Sequence, residues 1–394
     1  MRALGARYTE VMLMNMRPLG RTGMQVSEVG LGCEHLQGKS FELVKSVIDA
    51  ALDSGINILD TFMSEPEVRS NIGRALKGRR EQVILQGHIG AIWQDGQYKR
   101  SRDIAKCREF VNDYLARLDT DYIDIGMLHY VDKVDDWQNI LRGPVMEYAL
   151  ELKRAGVIRA LGMSSHDPRT ALEAVRSGLI DVLMFSINPA YDMLGENVSV
   201  DELFSSATYE RQLTLNPLRA QLYRECESRG VAITVMKGLG AGILLSDERS
   251  PFGQAFTVPQ LVHYSLTRPA VCSVLVGADC PEQVIKAVEY EQTDDADRDY
   301  ARVMMHAPRF SLKGHCMYCN HCLPCPSHID IAQVNKYLDL ALAQKEVPQS
   351  VREHYLALEH TARNCIACGK CEFNCPFDVP VKSRMQRALS LFGR

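Results

Sequence analysis

Strand-like and helix-like patterns alternate over most of this chain, and eight cysteines crowd into two groups after residue 315. Together they predict an α/β protein: a (β/α)8 barrel followed by a small α-helical module organised by its cysteines. The chain has 394 residues, 46% hydrophobic and 24% charged, enough for one large core and a second, smaller one.

The strands expected are short β-branched runs at 29–32, 56–59, 83–85, 122–128, 158–163, 182–185, 232–236 and 273–276. Between them lie amphipathic stretches, such as 41–52 and 104–118, with apolar residues at helical spacing. Gly55 and Gly156 follow two of these where a helix needs its C-terminal cap. Eight βα units predict a closed TIM barrel with its active site at the C-terminal ends of the strands. The expected boundaries are a tail over 1–16, the barrel over 17–291, a linker over 292–313 and the module over 314–394.

The first cysteine group is Cys316, Cys319, Cys322 and Cys325, with Pro326 after it; the second is Cys365, Cys368, Cys371 and Cys375, with Pro376. The second has the C-x2-C-x2-C-x3-C-P spacing of bacterial ferredoxins, and the first shortens only the last gap. In that arrangement three thiolates wrap one 4Fe–4S cluster and the fourth reaches the other. Cys316, Cys319, Cys322 and Cys375 would hold one cluster; Cys365, Cys368, Cys371 and Cys325 would hold the second. Zinc also takes four cysteines, but it does not need two sets of four, each ending in Cys-Pro. The module is therefore expected to be ferredoxin-like with two 4Fe–4S clusters. The scattered Cys33, Cys107, Cys226, Cys272 and Cys280 read as small buried hydrophobes.

A net charge of −4 without a basic block points away from nucleic acid and anionic membrane. No apolar run or leader pattern appears, so a cytoplasmic protein is expected.

The segment Leu19-Gly-Arg-Thr-Gly-Met-Gln-Val-Ser-Glu-Val-Gly-Leu-Gly, then Asp60-Thr61, Tyr122-Ile-Asp124, Leu128-His129 and Gly162-Met-Ser164-Ser165-His166, resembles the aldo-keto reductases. So do Gly238-Leu-Gly240-Ala-Gly242, Gly277-Ala278 and Pro281-Glu-Gln283. With the cysteine module, the whole chain resembles the ferredoxin-fused branch of that family. The resemblance implies an Asp, Tyr, Lys and His tetrad in which Tyr donates a proton. Asp60 and His129 match their positions. The tyrosine segment is missing, replaced by Phe62-Met63-Ser64-Glu65-Pro66, and His88 stands at the lysine position. The nicotinamide-pocket glutamine aligns with Met184 and the adenine-side asparagine with Ala287.

What remains of the implied cofactor site is its phosphate end. Lys237, Gly238, Gly240 and Gly242 form one loop there and Gly277, Ala278 and Gln283 another, with Ser164 and Ser165 nearby. Such a site suits NAD(P), FMN or another phosphorylated ligand alike. Glu34, His35, His88, His129 and His166 follow four separate strands and are expected at one mouth. Imidazoles there suit proton delivery to a substrate, and also a divalent metal beside Asp60 or Glu34. Proton transfer is favoured, because His129 and His166 belong to a family site without metal. Trp93, Asp95, Gln97 and Tyr98 are expected to form a lid, with Tyr98 a candidate for the missing tyrosine. The segment 189–216 is a second candidate cover.

The expected function is an anaerobic iron–sulfur oxidoreductase acting on a small molecule at the barrel mouth. It would exchange electrons with an external carrier such as ferredoxin or flavodoxin. Because a hydride carries two electrons and a cluster passes one, direct exchange with NADPH is disfavoured without a flavin. Two other readings stand beside it: a non-catalytic redox carrier or sensor with a degenerate barrel, and a metal-dependent lyase or hydrolase built on the histidines. Oligomeric state is not legible.

Overall fold

The computed structural model describes residues 14–193, 217–250, 252–304, 314, 316, 322–342, 347, 349–375 and 378–394. Its strands are β1 (Met16–Pro18), β2 (Gln25–Ser27), β3 (Val29–Gly32), β4 (Ile58–Thr61), β5 (Ile84–Ile89), β6 (Ala91–Gln94), β7 (Gln97–Arg100), β8 (Ile123–Leu128), β9 (Ile158–Ser165), β10 (Val182–Ser186), β11 (Ala232–Met236) and β12 (Val271–Gly277). Strands β3, β4, β5, β8, β9, β10, β11 and β12 close in that order into one barrel, β12 pairing back onto β3 in parallel. The expected runs all became barrel strands, several of them extended toward the mouth.

The helices follow from local chemistry. Ser40, Asp103 and Asp167 cap Phe41–Asp53, Ile104–Arg117 and Pro168–Arg176 by accepting the amides of Leu43, Lys106 and Thr170. Pro66, Pro144, Pro168 and Pro281 open their helices at positions where a missing N–H costs nothing. Gly55 and Gly156 have φ of +85° and +74°, as the expected C-terminal turns require.

The barrel interior is filled by Ile58, Ile125, Met127, Ala160, Val182 and Leu275, and the antiparallel β1–β2 hairpin closes its floor with Leu19 and Val26. Two aspartates clasp that floor. Asp124 accepts from Arg80 at 2.8 Å, Arg159 at 2.9 Å and the Leu85 amide at 3.0 Å. Asp181 accepts from Arg21 and Lys153 and from the Leu161 amide. Asn15 donates to Glu291, so the chain is tied to the barrel just before β1.

The cysteine module contributes helices Ile331–Leu342, Gln349–Leu356, Lys370–Asn374 and Val381–Phe392. Val334, Leu338, Tyr355, Met385, Ala388 and Phe392 form its core, with Tyr355 stacked on Phe392 at 4.0 Å. That core is continuous with Ala190, Tyr191, Ile243, Leu244 and Phe256, which follow β10 and β11. The module therefore rests on the barrel's C-terminal mouth. The linker includes a short helix, Ala301–Met304, with Val303 buried. Among the described residues, no helix is long and apolar enough to cross a membrane.

Candidate active site

Adjacent strands set Asp60 beside Gln86 in register, and two residues further along β5 His88 points to the same face. Asp60 accepts from Gln86 Nε2 at 2.7 Å and lies 2.9 Å from His88 Nε2. His88 Nδ1 is 2.8 Å from His129 Nδ1, and His129 Nε2 meets the Tyr98 hydroxyl. Thr234 donates to Gln86 Oε1 at 3.0 Å, fixing the amide that orients Asp60. One connected chain thus runs Thr234, Gln86, Asp60, His88, His129, Tyr98.

An ionised Asp60 makes His88 a donor at Nε2 and an acceptor at Nδ1. His129 then donates from Nδ1, and Tyr98 donates to His129 Nε2. Burial, reinforced by the neighbouring His88, holds His129 well below the usual imidazole range, so it is neutral at pH 7. Burial pushes the Tyr98 phenol above its ordinary value, keeping its proton in place. Phe62 stacks on His129 at 5.7 Å and meets His88 and Tyr98 edge-on, each at 6.0 Å. Phe62, where the resemblance implies the tyrosine segment, is an apolar wall for the histidines.

Tyr98 comes from β7, whose antiparallel pairing with β6 makes the hairpin over the mouth. Trp93, Gln97 and Tyr98 lie on its two strands and Asp95 in the turn between them. Gln97 beside it reaches His328 of the cysteine module at 2.6 Å.

His166 belongs to a second cluster. Its Nδ1 lies 2.9 Å from Asp132, whose carboxylate also accepts the His166 amide at 2.7 Å and the Ser165 hydroxyl at 3.2 Å. Burial lowers the His166 pKa more than Asp132 raises it; burial also raises Asp132, but its contacts with His166 bring the carboxylate below its ordinary value. Lys237 acts electrostatically on this pair and on Glu34, whose carboxyl is raised by burial against the pull of His35 and Lys237. His35 lies in the turn Cys33–Leu36, its ring so close to Gly277 that a Cβ there would stand 2.5 Å from it.

The cofactor-loop residues are committed to their own structure. Lys237, Gly240, Ala241 and Gly242 all have left-handed backbones. The Gly240 and Gly242 amides bond to the Lys237 and Leu239 carbonyls. Gly238 lies tight against Val274, and Gln283 accepts the Asp279 amide beside Ala278. The Ser164 hydroxyl accepts the Tyr130 amide at 2.7 Å, and Met184 Sδ lies 3.3 Å from Gln86. Met184, at the position where the resemblance expects the nicotinamide-pocket glutamine, offers a thioether in place of a carboxamide, while the Ser164 hydroxyl keeps its proton to donate.

The cysteines do fit an iron–sulfur group. Cys325, Cys365, Cys368 and Cys371 line one hollow with about 370 Å³ of open space, its mouth included. Left-handed Ala367 and Gly369 wrap the chain around it, and the Ala367 amide points at Cys365 Sγ at 3.4 Å. This is the cross-paired ligand set expected for one cluster. Among the described residues, no three His, Cys, Asp or Glu converge on a single ion. Of the other set, Cys316, Cys322 and Cys375 pack against the module core, and Cys319 lies outside the described residues. Four scattered cysteines are buried as expected; Cys280 is half-buried before helix Pro281–Val288.

The aldo/keto reductase family profile matches residues 28–271. The chain belongs to the aldo/keto reductase family. A 4Fe-4S dicluster domain profile matches residues 315–380, so this is an aldo/keto reductase joined to an iron–sulfur domain. It is 31% identical over 289 residues to the uncharacterized oxidoreductase YqkF of Bacillus subtilis, covering 70% of this chain and 90% of that protein. It is 27% identical over 340 residues to the NADH-specific methylglyoxal reductase of Escherichia coli, covering 75% and 99%. The holo form of an aldo-keto reductase from Bacillus halodurans superposes with a TM-score of 0.59 at 25% identity, covering 75% and 97%. As a member of this family the protein is an oxidoreductase.

Gln86, Tyr130 and Asp132 escaped the sequence reading. Gln86 left a signal, because polar residues at 86 and 88 share one face of a buried strand. Asp132 left none; it meets His166 only through the fold.

Proposed function

We propose that this aldo/keto reductase reduces a polarised small molecule, such as a carbonyl compound, with electrons from two 4Fe–4S clusters and protons from the Tyr98 chain. When bound, the clusters supply electrons one at a time. In this reading Tyr98, the outer end of the chain, meets the substrate oxygen. A shift of the resident protons toward Asp60, Tyr98 to His129 Nε2, His129 Nδ1 to His88 and His88 Nε2 to Asp60, lets Tyr98 take up a proton from solvent. When Tyr98 gives that proton to the substrate, Asp60 donates to His88, His88 to His129 and His129 to Tyr98, and the resting chain is restored. Each group is regenerated as the proton moves on, without a lasting buried imidazolium. Two electrons and two protons convert one carbonyl to an alcohol. The second proton enters where Lys237, Glu34 and the His166–Asp132 pair lie.

The observation that carries this reading is the continuous Tyr98–His129–His88–Asp60 chain beneath the iron–sulfur module. It keeps the aspartate and histidine of the implied tetrad, puts His88 at the lysine position and draws its tyrosine from the β6–β7 hairpin. The alternatives gain less support. A docking platform has no use for a buried donor chain, and the histidines are directed at one another rather than at a common ion.

The test uses protein purified without air, reduced methyl viologen as electron source and methylglyoxal as test carbonyl. Tyr98→Phe should lower the rate about 10²–10⁴-fold, the usual range for a lost general acid. An unchanged rate would remove Tyr98 from the mechanism.

A further inference from the structure

Tyr130 is held in an arrangement that the proton chain does not use. It is a bulky, non-glycine residue with φ of +50°, a conformation that persists only where surroundings enforce it. Its amide is held by Ser164 at 2.7 Å. Its carbonyl accepts from Arg100 and Arg102, each at 3.0 Å. The Arg100 guanidinium also lies 4.8 Å from the ring centroid. These contacts aim the side chain across the boundary between the domains. The ring centroid lies 6.3 Å from that of His129 and 5.6 Å from that of His166, which it meets edge-on, so the ring stands between the two polar clusters of the mouth. Its hydroxyl donates to the Asn374 carbonyl at 3.3 Å, one residue before Cys375. Beside it, the Lys133 ammonium covers the Phe373 ring at 4.2 Å.

We propose that Tyr130 is the bridge by which electrons pass from the cluster ligated by Cys375 to a substrate held against His129 and His166. The proposal rests on the iron–sulfur reading given above. The path runs from Cys375 through the Asn374 carbonyl and the tyrosine hydroxyl to the ring, which faces the site. Each passage moves one electron. Two passages with two protons reduce one carbonyl, and an external one-electron carrier replaces the electrons. Tyr130 itself gains and loses nothing overall. The same contact makes it a positioning residue, fixing the Cys375 turn over the histidines.

The experiment separates electron movement from proton delivery. Protein purified without air is reduced with dithionite, freed of excess, and mixed rapidly with 9,10-phenanthrenequinone. This dicarbonyl takes its first electron without needing a proton, so loss of the Tyr98 chain does not mask the result. Ferricyanide, which takes electrons at the protein surface, is the parallel oxidant. Tyr130→Phe should slow the saturable quinone phase at least tenfold and leave the ferricyanide phase unchanged; Tyr130→Leu should slow the quinone phase further. A second readout needs no turnover. In a redox titration followed by electron paramagnetic resonance, Tyr130→Phe should lower one cluster's midpoint potential and leave the other's in place, because a donor dipole beside the Cys375 turn is lost. Quinone phases equal to wild type in both variants, with iron content intact and potentials unmoved, would overturn the bridge and leave the proposed function standing. A wild-type protein whose reduced clusters give no saturable quinone phase would overturn both. If Tyr130→Leu loses iron, the phenylalanine variant, which keeps the ring, still decides the matter.

Discussion

Two little-exposed aspartates on the barrel floor and two in the histidine clusters of the mouth are given partners that differ in kind, while a third at the mouth, Asp192, is clasped by Arg219 as the floor pairs are. On the floor Asp124 meets Arg80 and Arg159, and Asp181 meets Arg21 and Lys153. At the mouth Asp60 meets His88, and Asp132 meets His166. Arginine and lysine keep their charge at any ordinary pH, so the floor pairs are permanent clasps. Imidazole can carry its proton on either ring nitrogen, so the mouth pairs have a partner able to hand one on. One residue type thus takes permanently charged partners on the floor and imidazole partners in the two histidine clusters of the mouth, the end where such barrels carry their sites.

The largest break in that comparison is expected from the module. Cys371→Ala should abolish viologen-driven turnover and remove one cluster's paramagnetic signal, while circular dichroism shows the barrel still folded. Collapse of the barrel would mean that mouth and module fold as one unit. Next comes the floor. Asp124→Ala leaves the Arg80 guanidinium with little solvent and no carboxylate, and should cost about 3 kcal/mol in urea unfolding without changing the proton-dependent step. A loss below about 0.5 kcal/mol would make the clasp a bystander.

The smallest effect, and the sharpest division, is in pH. His129 and His166 have folded pKa values below the ordinary imidazole value, so the unfolded chain binds their protons first. The stability they contribute is complete above about pH 6.5 and declines as pH falls from there toward the lowered folded values. For Asp181, burial raises the carboxyl but the bonds from Lys153, Leu161 and Arg21 lower it further. Its contribution is present above the ordinary carboxylate value of about 3.9 and is lost only as pH falls through the depressed value. Urea titrations should therefore show two acid limbs. His129→Asn should flatten the upper limb alone; an unchanged upper limb would assign that slope elsewhere.

Much of the fold was legible because buried parallel strands advertise themselves as short β-branched runs, and the cysteine spacing is dictated by the cluster it wraps. Asp60, His88 and His129 were legible as strand-end residues, since strand ends in a barrel share one mouth. What they do for each other was not. Whether His88 bonds His129 or a metal depends on ring orientation, which Phe62 and Tyr98 set from other elements. Tyr98 was a candidate without a known reach, because only the β6–β7 pairing fixes how far the hairpin extends. The glycine loops suggested a phosphate cradle, yet Ile243 and Leu244 beside them pack into the module core, which spacing alone does not reveal.

The central claim is that electrons reach the barrel mouth from the iron–sulfur module rather than from a nicotinamide. The most direct measurement compares two electron sources on protein purified without air, with methylglyoxal as acceptor: reduced methyl viologen, and NADPH or NADH alone. The account predicts turnover with viologen that disappears in Cys371→Ala, and none with either nicotinamide. Turnover with NADPH or NADH that persists in Cys371→Ala would contradict it.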